Sequence, residues 1–165
     1  MKKLIPYALL IASVTVLVTL AAQPVAGQGA AAGKLAIFAD MALFSGPQQP
    51  RNCFTMNRYK MGENVGFRVS VIDGATGMPA QDAEVVVHLT YAGKTEQVPA
   101  RYRGIIPAGG RGNAIPNLWT AKWVVPAGTQ TGVVQMKVTA KDKSGRTAEF
   151  TPYPNAAAHL TIVNE

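Results

Sequence analysis

Gly132-Val133-Val134-Gln135-Met136-Lys137-Val138-Thr139-Ala140-Lys141-Asp142 is the stretch that decides the fold. Val134, Met136, Val138 and Ala140 fall on one side of an extended chain, and Gln135, Lys137, Thr139 and Lys141 on the other. Alternation with a period of two is the pattern of a strand with one face buried and one wet. The run ends in Asp142-Lys143-Ser144-Gly145, which suits a type I turn closed by a left-handed Gly, so Arg146 to Thr151 is predicted to return as the partner strand.

The same period recurs outward from this hairpin. Upstream, Leu118 to Val125 places Trp119, Ala121, Trp123 and Val125 on one side. Thr95 to Tyr102 alternates Val98, Ala100 and Tyr102 with Gln97, Pro99 and Arg101; Pro99 cannot donate to a ladder, so this strand is predicted to be an edge or to be broken. Ala92-Gly93-Lys94 connects it to Ala83 to Tyr91, and Glu63 to Asp73 carries Val65, Phe67, Val69 and Val71 on one face. Asp73-Gly74-Ala75-Thr76-Gly77 supplies a turn in which the Asp side chain can bond its own backbone. Lys34 to Phe44 is a candidate first strand and His159 to Val163 a last one. No stretch after residue 33 has a helical period.

Seven to eight short strands punctuated by turns predict an all-β, antiparallel two-sheet sandwich. The chain resembles bacterial exported immunoglobulin-like and fibronectin-type modules. Gly62-Glu63-Asn64-Val65 opening the strand that ends at Asp73, the Trp119/Trp123 strand, and Gly132 through Asp142 followed by Ser144-Gly145-Arg146 carry the likeness. It spans residues 62–163, and the paired inter-sheet cysteines of antibody domains are absent. Such families mostly bind, space or present other molecules, and that is what the likeness implies here.

The N-terminus reads differently. Met1-Lys2-Lys3 followed by the apolar run Leu4 to Leu20 and the small residues Ala21 to Gly33 has the order of a secretory signal peptide, with cleavage placed after Gly27. The rival is an uncleaved anchor, because a run of seventeen residues sits at the lower limit for a span. No Cys follows the run, so lipidation through a lipobox is excluded. The predicted organisation is a signal peptide over 1–27, an N-terminal arm with the candidate first strand over 28–61, and the Ig-like module over 62–165. A periplasmic or secreted location follows, with no stable transmembrane span after processing.

Processing lowers the formal charge from +7 to +5. Between Gln97 and Lys141 the basic residues Arg101, Arg103, Arg111, Lys122, Lys137 and Lys141 occur with no acid among them, and Arg51, Arg58 and Lys60 form a second group. An uncompensated basic surface steers anionic partners. Arg101, Arg103, Arg111, Trp119 and Lys122, around the Gly- and Pro-rich loop 103–117, are therefore the candidate binding residues. The expected partner is another envelope protein or an anionic envelope polymer; nucleic acid is not expected in that compartment. The competing explanation is a solvated strand face, since alternation already turns Lys122, Lys137 and Lys141 outward.

Catalytic patterns are wanting. His88 and His159 lie in no recognisable motif, the acids Asp73, Asp82, Glu84 and Asp142 stand at strand ends or turns, and the glycine-rich loop 107–113 lacks the Lys-Ser/Thr of a phosphate-binding loop. Neither a catalytic role nor a cofactor is expected. Cys53, Met56 and Met61 are weak candidate soft metal ligands, and they support an alternative reading as a small component of a periplasmic redox or copper-handling system. A module of the binding or structural kind, acting as an accessory or interaction subunit of the envelope, remains the leading expectation.

Overall fold

The computed structural model describes residues 33–46, 54–104, 117–155 and 158–164. The chain divides into Met1–Ala31 and Ala32–Glu165, and every described residue lies in the second unit. The signal-peptide segment, Cys53 and Arg111 therefore fall outside the described residues, as does most of the 103–117 loop. No α-helix occurs among the described residues, and none of their segments forms a helix long and apolar enough to cross a membrane.

The strands are β1 (Leu35–Leu43), β2 (Phe54–Thr55), β3 (Arg58–Tyr59), β4 (Asn64–Asp73), β5 (Glu84–Tyr91), β6 (Lys94–Tyr102), β7 (Trp119–Val124), β8 (Gly132–Lys141), β9 (Thr147–Phe150) and β10 (Leu160–Ile162). Each segment with a two-residue period forms a strand with the expected face inward. In β8, for example, Val134, Met136, Val138 and Ala140 are buried while Gln135, Lys137 and Lys141 are exposed.

The turns follow from local chemistry. Gly145, at φ 86°, donates its amide to the Asp142 carbonyl at 3.0 Å, which makes the predicted hairpin between β8 and β9. The Asp73 Oδ1 accepts the Ala75 amide at 2.8 Å, so the predicted Asp-anchored turn closes β4. Ala92 and Gly93 both have positive φ, 47° and 76°, in the two-residue link that pairs Tyr91 with Lys94. Two left-handed residues define the turn whose twist matches a hairpin.

Two separate antiparallel sheets are what the sequence predicts; the strands instead join in one continuous, mixed ladder. Its order is β2-β1-β4-β7-β6-β5-β8-β10-β3, with β9 also on β8. The reason lies in β6. Lys94 to Ala100 pairs with β5, and Arg101 and Tyr102 pair with β7. The change of partner comes just after Pro99, in a stretch that has β5 on one side only, so the edge predicted from Pro99 and the interruption are one feature. Parallel pairing of β3 with β10 makes the sheet mixed.

The sheet curls around a single core drawn from both of its halves, including Val65, Phe67, Val69, Trp119 and Trp123 from one and Val85, Val87, Leu89, Met136 and Val138 from the other. Trp119 ties the halves together, donating its Nε1 to the Ala83 carbonyl at 3.2 Å and lying 4.7 Å from the Tyr102 ring. Ahead of the change of partner, within the β5-paired part of β6, the Glu96 Oε2 accepts from the Tyr91 hydroxyl at 2.8 Å and the Trp123 Nε1 at 3.1 Å, so one carboxylate oxygen gathers β5, β6 and β7. Tyr59 of β3 is fully buried and donates its hydroxyl to the Met56 carbonyl at 3.0 Å. Burial, followed by the charge of Glu63, pushes the Tyr59 pKa well up, so it is a neutral core donor.

Candidate functional site

Three strand registers build the outer face of the β1-β4-β7-β6 half. Asp40 of β1 faces Arg68 of β4, Arg68 faces Thr120 of β7, and Thr120 faces Arg101 of β6. One step along, Ala42 faces Gly66, which faces Lys122. One step the other way, Phe38 faces Ser70, and the Arg103 amide donates to the Leu118 carbonyl at 2.8 Å, carrying the row past β7. Side chains two apart on a strand share a face, so Arg101, Arg103 and Lys122 project together from this surface.

Charges on the face are not evenly paired. Arg68 donates Nε and Nη2 to the two Asp40 carboxylate oxygens at 2.6 Å each, and a further Nη2 bond reaches the Thr55 hydroxyl at 3.0 Å. That pair is internally neutral. Arg101, Arg103 and Lys122 are exposed and have no ion-pair partner among the described residues. Lys122 sits diagonally to Arg101 across β7 and β6, a cross-strand position where Cβ atoms lie roughly 7 Å apart. Like charges at that distance repel modestly, and an anion seated between them removes the repulsion.

Phe38, 62% exposed, edges a shallow depression of about 370 Å³ on the same face, lined also by Asp40, Arg68, Ser70 and Leu118. Three strand spacings of about 4.8 Å put Phe38 some 14 Å from the Arg103 end of the row. The surface is thus an aromatic ring and a neutral ion pair at one side, with three cations at the other.

The acid-free basic stretch of the sequence is divided by the fold. Lys137 makes an ion pair with Glu149 at 3.4 Å, and Lys141 stands opposite Glu84 in the β5–β8 register, both on the outer face of the other half. Among the described residues of that stretch, Arg101, Arg103 and Lys122 remain as a cluster. Trp119 does not join them: at 1% exposure it is a core side chain, and the inward face of β7 holds it there.

The fold disperses the methionines and histidines singled out by sequence. Met61 accepts the Gly128 amide on its Sδ at 3.3 Å, whereas Met56 lines a cavity with Met41 and Met136, so the fold does not bring Met56 and Met61 to one cavity. His88 Nε2 is hydrogen-bonded to the Thr139 hydroxyl at 2.9 Å. His159 Nδ1 is buried with no hydrogen-bond partner.

Asp73 and Asp142 meet at Arg146. Arg146 donates Nη1 to Asp73 Oδ2 at 2.7 Å and to the Gly33 carbonyl at 2.9 Å, and Nε to Asp142 Oδ2 at 2.6 Å. Burial opposes the Asp142 charge, but bonds from the Ser144 hydroxyl and from Arg146 hold its pKa down to about 2. The Arg146 bond, with help from the Ala75 amide, likewise lowers that of Asp73. Both carboxylates are spent on fastening turns.

No protein-family model and no curated protein matches this chain.

Proposed function

We propose that the protein is an exported, non-enzymatic binding module of the bacterial envelope, built as an immunoglobulin-like sandwich, that holds an anionic envelope polymer or an acidic surface of another envelope protein. The observation that carries this reading is the cluster Arg101, Arg103 and Lys122 on one outward face, without acidic partners among the described residues, while Lys137 and Lys141 on the other face stand opposite acids. Unbalanced charge concentrated on one surface is what steers an oppositely charged partner.

Connectivity supports the sandwich reading. β1, β4, β7 and the end of β6 follow the order of the first sheet of an Ig-type module, and β5 and β8, with β9 and β10 each paired to β8, that of the second. Continuity through β6 then amounts to one strand changing sheets. Export rests on the sequence order of Lys2-Lys3, an apolar run and small residues.

The test is retention of purified protein on native envelope fractions. Wild type is expected to sediment with the envelope and to be released by salt. An Arg101→Gln/Arg103→Gln/Lys122→Gln variant that sediments equally well, with unchanged salt sensitivity, contradicts the proposal.

A further inference from the structure

A second site lies at the open side of the curled sheet, where β1 and β9 approach without forming a ladder. A cavity of about 350 Å³ opens there, and Met41, Met56 and Met136 all line it. Three of the six methionines in the chain thus converge from three segments distant in sequence. Met41 comes from the inner face of β1 and Met136 from the inner face of β8. Met56 comes from the link between β2 and β3. Its backbone is fixed at both ends, the amide donating to the Met41 carbonyl at 3.3 Å and the carbonyl accepting the Tyr59 hydroxyl at 3.0 Å.

We propose that Met41, Met56 and Met136 form a thioether site for a soft monovalent cation, Cu(I). Thioether sulfur is a soft ligand that favours Cu(I) over zinc, calcium or magnesium, and three rotatable bonds let each methionine aim its sulfur from a fixed backbone. The hard donor at the rim is already committed, because both Asp40 oxygens are held by Arg68 at 2.6 Å. Among the described residues no group of three His, Cys, Asp or Glu offers a competing site for a harder metal. Thr55, Asn57 and Tyr153 add only neutral oxygen or amide groups to the lining, and the Thr55 hydroxyl already accepts from Arg68, so the three thioethers are the soft donors there and carry no charge, which suits a singly charged soft ion. Phe150, partly buried, and Tyr153, exposed, also line the cavity.

The experiment uses the full mature chain carrying Cys53→Ser, so that thiol binding does not contribute. Cu(I) is titrated anaerobically against a chromophoric Cu(I) chelator, and Ag(I) is added as a redox-silent probe while methionine methyl resonances are followed. One Cu(I) per chain is expected, with Ag(I) shifting the methyl signals of Met41, Met56 and Met136 and leaving those of Met61 and Met78 in place. Each single Met→Leu exchange at the three positions is expected to weaken Cu(I) binding about tenfold, equivalent to about 1.4 kcal/mol. Leu is close to Met in volume, so the fold, checked by circular dichroism, survives the exchange. The proposal is overturned if the Cys53→Ser chain retains no Cu(I), if Ag(I) shifts Met61 or Met78 instead, or if the triple Leu variant binds Cu(I) as tightly as its parent. An apolar dye taken up by the cavity of a chain that binds no Cu(I) would show a pocket for an apolar molecule and equally overturns it.

Discussion

Ala92 carries the left-handed backbone, φ 47°, that a two-residue hairpin demands but that a side chain with a Cβ adopts at a cost of about 1–2 kcal/mol. Replacing it with Gly removes that strain at a position whose neighbour Gly93 already has none. Ala92→Gly is expected to raise stability by about 1 kcal/mol in urea unfolding, against the usual loss when Gly replaces Ala. Asp142 makes a different prediction at this scale. Its ionised form is favoured by folding, so the stability it contributes is complete above the ordinary carboxyl value of 3.8 and is lost as pH falls toward its folded value of about 2. Asp142→Asn should therefore lower the unfolding midpoint at pH 7, and the gap to wild type should shrink between pH 3.8 and pH 2. A gap that stayed constant through that window would show that Asp142 does not act through its charge.

At the scale of elements, the Glu96 carboxylate links β6 to both of its neighbours ahead of the crossover, since Tyr91 of β5 and Trp123 of β7 both donate to it. Removing it leaves two donors without their partner in a partly buried place. Glu96→Ala is expected to cost about 1.5–3 kcal/mol, and to lower hydrogen-exchange protection first in β6. This element also shows how far the sequence could be read. Five strands, β4 to β8, were legible from their two-residue period, β9 as the return of the Asp142 turn and β1 and β10 as candidates only, while the Asp142 and Asp73 turns were legible from Asp and Gly chemistry. β2 and β3 were not, because two-residue strands have no period, and the parallel pairing of β3 with β10 joins segments about a hundred residues apart. Pro99 announced an edge; that the same strand then turns to β7 depends on tertiary packing around Tyr102 and Trp119.

Over the whole molecule, the curl decides what the charges mean. Linear sequence shows six cations without an acid, and the fold returns Lys137 and Lys141 to acids on a neighbouring strand while leaving Arg101, Arg103 and Lys122 together. Trp119, adjacent to these cations in sequence, is turned inward by alternation and serves the core. Its loss, Trp119→Ala, is expected to cost about 3–5 kcal/mol by urea unfolding, the range for a large aromatic removed from a packed interior. Partner identity was not legible because a charge cluster specifies the sign and spacing of a ligand, while the ligand's covalent nature leaves little mark on sequence. Three methionines brought to one cavity from residues 41, 56 and 136 were equally hidden, since no spacing rule joins them.

The central claim, that the Arg101, Arg103 and Lys122 face is an anion-binding surface, is tested most directly by the salt dependence of binding to a carboxylated polysaccharide, alginate, immobilised as a defined probe. Wild type is predicted to bind with an affinity that falls steeply as sodium chloride rises from 0.05 to about 0.5 M, because screening shortens the reach of exposed charges from roughly 14 Å to 4 Å over that range. The Arg101→Gln/Arg103→Gln/Lys122→Gln variant is predicted to bind more weakly at low salt and with a flatter salt dependence, while Lys137→Gln/Lys141→Gln behaves as wild type. Equal loss in the two variants, or salt-dependent binding that survives the triple substitution, would contradict the account.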